Sequence, residues 1–142
     1  MDPLLQEINR LLEGQDRNDA IAARTLIALA TAKTTDQRQL ATFQALLATA
    51  ARFSGQPLTD EEFAAIQKSV TRHGTLAQIV RLECEAYRRH NDPSKILEVD
   101  KMLEDLAARA AAMGASEDDV REARNLLASL RGDWYNDYYA GE

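Results

Sequence analysis

The chain contains a single cysteine, Cys84, among its 142 residues. One thiol cannot form a disulfide within the chain, and it cannot supply a cysteine-based metal cluster. We expect Cys84 to be a buried, unreactive thiol. The sequence therefore has to be stabilised by an ordinary hydrophobic core, which a chain of this length can bury.

The sequence also lacks long apolar runs. Its longest weakly polar stretches, residues 25–32 and 45–51, are much shorter than the roughly 20 apolar residues that a membrane-spanning helix needs. The first residues read Met-Asp-Pro, with an acid where a secretory signal carries positive charge. We therefore expect a soluble, cytoplasmic protein without a membrane partner.

Signatures of catalysis and cofactor binding are scarce. The only two histidines, His73 and His90, fall near the ends of predicted helices, where a positive charge favours the helix dipole. The sequence has no glycine-rich phosphate loop and no nucleophile elbow. We predict no enzymatic activity, no catalytic, cofactor-binding or metal-binding residues, and no cofactor.

Helical periodicity is abundant. Leucine and isoleucine recur every three or four residues after an Asp2 cap, and residues 19–33 are apolar around nearly the whole helix, which is typical of a central helix. A third helix, after a cap at Thr34 or Thr35, is predicted to reach residue 53. Thr59 and Thr75 each begin a capping-box pattern that predicts a further helix.

The last third of the chain shows the most regular pattern. Apolar residues alternate steps of three and four in two runs separated by Gly114, which predicts an antiparallel αα-hairpin whose second helix ends at Gly132; the runs are Ile96, Val99, Leu103, Leu106, Ala110 and Met113, then Val120, Ala123, Leu127 and Leu130. The predicted fold class is all-α: a single compact helical bundle of six to seven helices over residues 1–132, ending in this hairpin. An acidic, aromatic tail, residues 133–142, follows.

The tail concentrates aromatic residues. Trp134, Tyr135, Tyr138 and Tyr139 lie within six positions, and aromatic side chains are the usual hot spots of protein interfaces. Trp134 and Tyr135 could equally close the core of the bundle, whereas Tyr138 and Tyr139 favour partner contact because a terminus is poorly ordered unless it is held. We predict a non-enzymatic protein–protein interaction module, an adaptor, assembly component or regulator, that binds a protein partner or a second copy of itself through the hairpin and tail.

A nucleic-acid-binding function is the alternative. Residues 61–90 contain two predicted helices around a short turn, as in a helix-turn-helix, and Arg72, Arg81 and Arg88 supply positive charge. Residues 58–90, which include this stretch, hold five acidic and five basic residues, and residues 91–142 hold twelve acidic and six basic residues, an excess of acid that repels phosphate. Nucleic acid is therefore the less favoured partner.

A third hypothesis is a helical metal-dependent hydrolase. Asp100 with Glu104, and Asp118 with Glu122, have the spacing of four that places two carboxylates on one helix face. The apolar residues that alternate steps of three and four form the face along which the two hairpin helices are predicted to meet, which we call the seam. Asp100 and Glu104 fall outside this face of their helix. Asp118, Asp119 and Glu122 lie at the start of their helix, where we expect them to complement its dipole.

Overall fold

The computed structural model describes residues 2–139, and its secondary structure there is helical. Within this range there is no β-strand, which confirms the predicted all-α class; the elements are α1 (Pro3–Glu13), α2 (Arg17–Lys33), α3 (Gln37–Ser54), α4 (Asp60–His73), α5 (Leu76–His90), a 3₁₀ turn (Pro93–Lys95), α6 (Ile96–Met113) and α7 (Glu117–Tyr139). None of the described helices is long and apolar enough to cross a membrane.

The contacts group the helices into two compact units. The first unit contains α1 to α4 and ends at Gly74, and the second begins at Thr75 and contains α5 to α7. Each unit has its own hydrophobic cluster of buried residues.

In the first unit, α2 and α3 pack against each other, with α1 against α2 and α4 against α3. The cluster comprises Ile8, Leu11, Leu12, Ala20, Ala23, Ile27, Ala30, Phe43, Leu46 and Ala50. The prediction that the apolar helix over residues 19–33 is central is wrong in one respect. Its neighbours cover one face of α2, and the opposite face is exposed.

The predicted helix caps are confirmed at several helices. The Asp2 carboxylate accepts the amide of the first turn of α1. Thr59 and Glu62 form a capping box in which each side chain accepts the other residue's backbone amide, at 3.1 Å in both directions. Thr75 and Gln78 form a second, at 3.0 and 3.3 Å. The threonine and its third helical residue thus satisfy two amides that the helix leaves open.

The cap of α3 differs from the prediction. Asp36, rather than Thr34 or Thr35, caps this helix, and its Oδ1 accepts the amides of Arg38 and Gln39 at 2.8 and 3.1 Å. A carboxylate at this position also interacts favourably with the positive end of the helix dipole.

In the second unit, α7 packs against both α5 and α6. The cluster comprises Leu76, Ala77, Val80, Cys84, Ile96, Val99, Leu106, Ala110, Ala123, Leu127, Leu130 and Trp134. Most of the predicted seam is buried, but Met113 is exposed because it is the last residue of α6. Asp100, early in α6, is ion-paired with Arg131, late in α7, and this contact fits the predicted antiparallel hairpin.

The predicted helix end at Gly132 is wrong. α7 continues through Gly132 to Tyr139, so the described part of the predicted tail belongs to the last helix. Glycine disfavours a helix interior by about 1 kcal/mol relative to alanine, and the burial of Trp134 two residues later outweighs that cost.

Asp119 connects two helices. Its carboxylate accepts the amides of Leu76 and Ala77 at 3.0 and 2.8 Å, while Thr75 accepts that of Gln78. The first three amides of α5, which have no partner within the helix, are therefore all satisfied. The expectation that Asp119 only complements its own helix was incomplete, because the side chain of this α7 residue completes the start of α5.

We expect Gly132→Ala to stabilise the protein by about 0.5–1 kcal/mol, because alanine lowers the conformational freedom of the unfolded chain and suits a helix interior. A Cβ at this position meets no atom within 4 Å. Gly114→Ala is the matched control: a Cβ there also has open space, but its φ of +66° strains an L-residue, so this variant should be less stable than the wild type. Urea unfolding followed by circular dichroism measures both, and destabilisation by Gly132→Ala would contradict a continuous α7.

Asp119→Ala should lower the free energy of unfolding by about 1–3 kcal/mol, because it leaves two amides at the start of α5 without an acceptor. Asp118→Ala is the control, since Asp118 is exposed and forms an ion pair with Arg121 one turn away. The control should change stability by no more than about 0.5 kcal/mol. Equal effects of the two variants in the same urea experiment would refute the cross-helix cap.

Candidate protein-interaction site

Trp134 lies in the core of the second unit. It is 3% exposed, and its ring meets that of Tyr87 edge to face with centroids 5.9 Å apart. Its position seven residues after Leu127 places it on the same side of α7 as the buried seam. Of the two alternatives left open by the sequence, the structure places Trp134 in the core of its own chain.

Tyr135, the next residue, points outward. It is 46% exposed, and its ring centroid lies 4.8 Å from that of Tyr139. Tyr139 in turn meets Tyr138 edge to face at 4.7 Å, and these two half-buried rings also pack against the core of the second unit. Tyr135, Tyr138 and Tyr139 form the tyrosine surface, whose rings are supported by one another on one helix.

Arg131 adjoins the tyrosine surface. Its guanidinium lies over the ring of Tyr135, 5.5 Å from the ring centroid, and also binds the carboxylate of Asp100. The hydrogen bond and the negative charge of Asp100 raise the pKa of Arg131 above its ordinary value. Arg131 therefore stays charged and links the start of α6 to the helix that carries the tyrosine surface.

Leu97 was missed as a candidate by the sequence reasoning. This residue is 56% exposed and lies three positions before Asp100, so the two share one flank of α6. Tyr135 lies four positions after Arg131 on α7, so the Asp100–Arg131 pair places Leu97 and Tyr135 at the same end of the α6–α7 pair. The signal was available, because Leu97 directly follows the seam residue Ile96 and is a large apolar residue at an outward position.

Polar contacts fix the surroundings of Trp134. The hydroxyl of Tyr87 donates to Glu98 at 3.1 Å, and burial together with this carboxylate raises the pKa of Tyr87. Arg88 is ion-paired with Asp133 at 2.9 Å, directly before Trp134 in the chain. The first contact connects the last turns of α5 to α6, and the second connects them to α7, so the helix segment that bears the tyrosine surface is bound to α5 through Asp133 and to α6 through Arg131.

The three arginines of the nucleic-acid alternative lie in different surroundings. Arg72 is exposed in the last turn of α4, which belongs to the first unit, whereas Arg81 and Arg88 belong to α5 in the second. Arg81 is ion-paired with Glu122 at 3.2 Å, and Arg88 with Asp133. An arginine held by a carboxylate of its own unit is less available to a phosphate.

The acidic pairs of the metal hypothesis do not converge. Asp100 is bound to Arg131, while Glu104, Asp118 and Glu122 are exposed. Among the side chains that the structure describes, no group of three from histidine, cysteine, aspartate or glutamate could hold a metal ion.

Cys84 is buried, as expected. Burial raises the pKa of its thiol to about 12, so the thiol stays protonated near neutral pH. Because the thiolate is the reactive form, Cys84 is poorly suited to act as a nucleophile.

Paired substitutions distinguish core from surface in this segment. Trp134→Ala should lower the free energy of unfolding by about 3–5 kcal/mol, because it removes a large buried side chain. Tyr135→Ala should lower it by less than about 1 kcal/mol, since this ring is half exposed. Urea unfolding followed by circular dichroism provides the measurement, and a large loss for Tyr135→Ala would mean that Tyr135 is part of the core.

Comparison with protein-family models, with curated proteins and with solved structures finds no match for this chain.

Proposed function

We propose that this protein is a non-enzymatic protein-interaction module, an adaptor, assembly component or regulator, that binds a protein partner or a second copy through the tyrosine surface and the adjoining α6–α7 pair. Its predicted compartment is the cytoplasm. The observation that carries the proposal is the exposed ring of Tyr135, which packs against the ring of Tyr139 and under the guanidinium of Arg131 on a helix secured by the buried Trp134.

The rigidity of this surface favours binding. A tyrosine contributes a large contact area and a hydroxyl group while losing few rotamers. Tyr135 is already restrained by Tyr139 and Arg131, so little conformational entropy remains to be lost when a partner binds. Leu97 adds apolar area at the same end of the helix pair.

The excess of acidic residues in residues 91–142 indicates which charge the partner's surface should carry. Residues 91–142 contain twice as many acidic as basic residues, and complementary potentials accelerate association and favour the correct partner. We therefore expect the partner to present an apolar patch surrounded by lysine and arginine, and binding to weaken as the salt concentration rises.

Affinity capture from cells of the source organism, followed by titration with the purified partner, tests the proposal. Tyr135→Ala should raise the dissociation constant of the captured partner by about tenfold or more, as expected for a central aromatic residue. Asn136→Ala is the matched control, because Asn136 is the exposed neighbour of Tyr135 on the same turn.

Both variants have to unfold at the same urea concentration as the wild type, so that a loss of binding cannot arise from a loss of structure. The proposal fails if the captured proteins and their affinities are the same for the wild type, for Tyr135→Ala and for Tyr139→Ala.

No second function is proposed. Two of the three arginines of the nucleic-acid alternative are already ion-paired within their unit, and the carboxylates of the hydrolase hypothesis lie apart or bind arginine. No specific observation favours either one.

A further inference from the structure

The exposed face of α2 carries no charge over three turns. A helical period of 3.6 residues places six exposed side chains within about one-third of the helix circumference. We call them the α2 stripe: Ile21, Ala22, Thr25, Ala28, Leu29 and Ala32. Ile21 is 37% exposed and Leu29 52% exposed.

A surface helix normally presents charged and polar side chains opposite its buried face. The buried face of α2 consists of Ala20, Ala23, Ile27 and Ala30, and the α2 stripe lies directly opposite. A helix that is apolar on both sides is expected to be covered on both sides. The first unit covers only one of them.

We propose that the α2 stripe binds the same stripe of a second copy, with the two α2 helices antiparallel across a two-fold axis. This homodimer contact lies outside the tyrosine surface. The stripe fits itself in shape: with the axis passing between residues 26 and 27, Leu29 of one copy lies opposite Ala22 and Thr25 of the other. In the same register, Ile21 lies opposite Ala28 and Ala32. Each large side chain thus meets two small ones, as ridges-into-grooves packing requires.

The charges beside the stripe support the same arrangement. Asp19 and Lys33 are exposed at opposite ends of α2 and, by helical periodicity, lie on the same flank of the stripe. The two-fold axis therefore brings Asp19 of each copy near Lys33 of the other, giving two ion pairs of opposite charge. On the other flank, Arg24 donates to the backbone carbonyl of Gln56 at 2.6 Å within its own unit. The antiparallel arrangement also places opposite helix-dipole ends together.

The area of the stripe sets the expected strength. A segment of twelve residues is about 18 Å long, and one helix face buries less than the roughly 800 Å² per partner of a stable interface. We therefore expect a reversible dimer whose population rises with concentration.

Sedimentation equilibrium of the full chain, from about 1 µM to 1 mM, measures this association. Leu29→Gln should raise the dimer dissociation constant by about tenfold, because it removes apolar area from the contact. Ala65→Gln is the control, since Ala65 is exposed on α4 of the first unit, outside both the α2 stripe and the tyrosine surface, and it should leave association unchanged. Circular dichroism verifies that both variants keep their helical content.

A charge exchange tests the register independently. Asp19→Lys and Lys33→Asp should each weaken the dimer, because each places like charges opposite one another across the axis. The double variant Asp19→Lys/Lys33→Asp should recover association relative to either single variant, because opposite charges then face each other again. Rescue of this kind is not expected from a contact elsewhere on the chain.

Two results would overturn the proposal. One is a chain that remains monomeric over the whole concentration range, and the other is a dimer whose affinity is unaffected by Leu29→Gln and by the charge exchange. A dimer that Tyr135→Ala disrupts and Leu29→Gln does not belongs to the tyrosine surface. That result supports the proposed function while refuting the α2 contact.

Discussion

The carboxylate of Asp119 sets the alignment of α5 and α7. By accepting two amides at the start of α5, it places the first turns of these helices side by side. The same alignment then brings Arg81 to Glu122 and, further along, Arg88 to Asp133. The two helices therefore run parallel, and the segment carrying the tyrosine surface lies where this row of contacts ends.

The starts of α4 and α5 could be predicted because their causes are local. Thr59 and Thr75 are each followed by glutamate or glutamine three residues later, and both form a capping box with the first turn of their own helix. The same reasoning could not find the role of Asp119, whose amide partner at Leu76 is 43 residues away in the chain. When the packing of the helices is unknown, an acidic residue in the first turn of a helix is explained by its favourable interaction with that helix's dipole.

The candidate site was only partly predictable for the same reason. Gly132 indicated a helix end because propensity was weighed alone, while the burial of Trp134 provides several times the free energy that glycine costs. The spacing of seven residues from Leu127 predicts that Trp134 lies on the seam if the helix is unbroken. It cannot show that the helix extends past Gly132. Once it does, Tyr135 must turn outward, because neighbouring residues on a helix point about 100° apart. For α2, the sequence showed that apolar residues surround most of the helix. It could not show which face would have no helix packed against it.

The division of aromatic residues between the two units has a spectroscopic consequence. The single tryptophan and all four tyrosines follow Gly74 in the chain, whereas the three phenylalanines, Phe43, Phe53 and Phe63, precede it. Tryptophan fluorescence and near-ultraviolet absorbance therefore observe the second unit and are almost blind to the first. Far-ultraviolet circular dichroism detects the helices of both. A difference between these signals during unfolding would reveal whether the two units lose their structure together or one after the other.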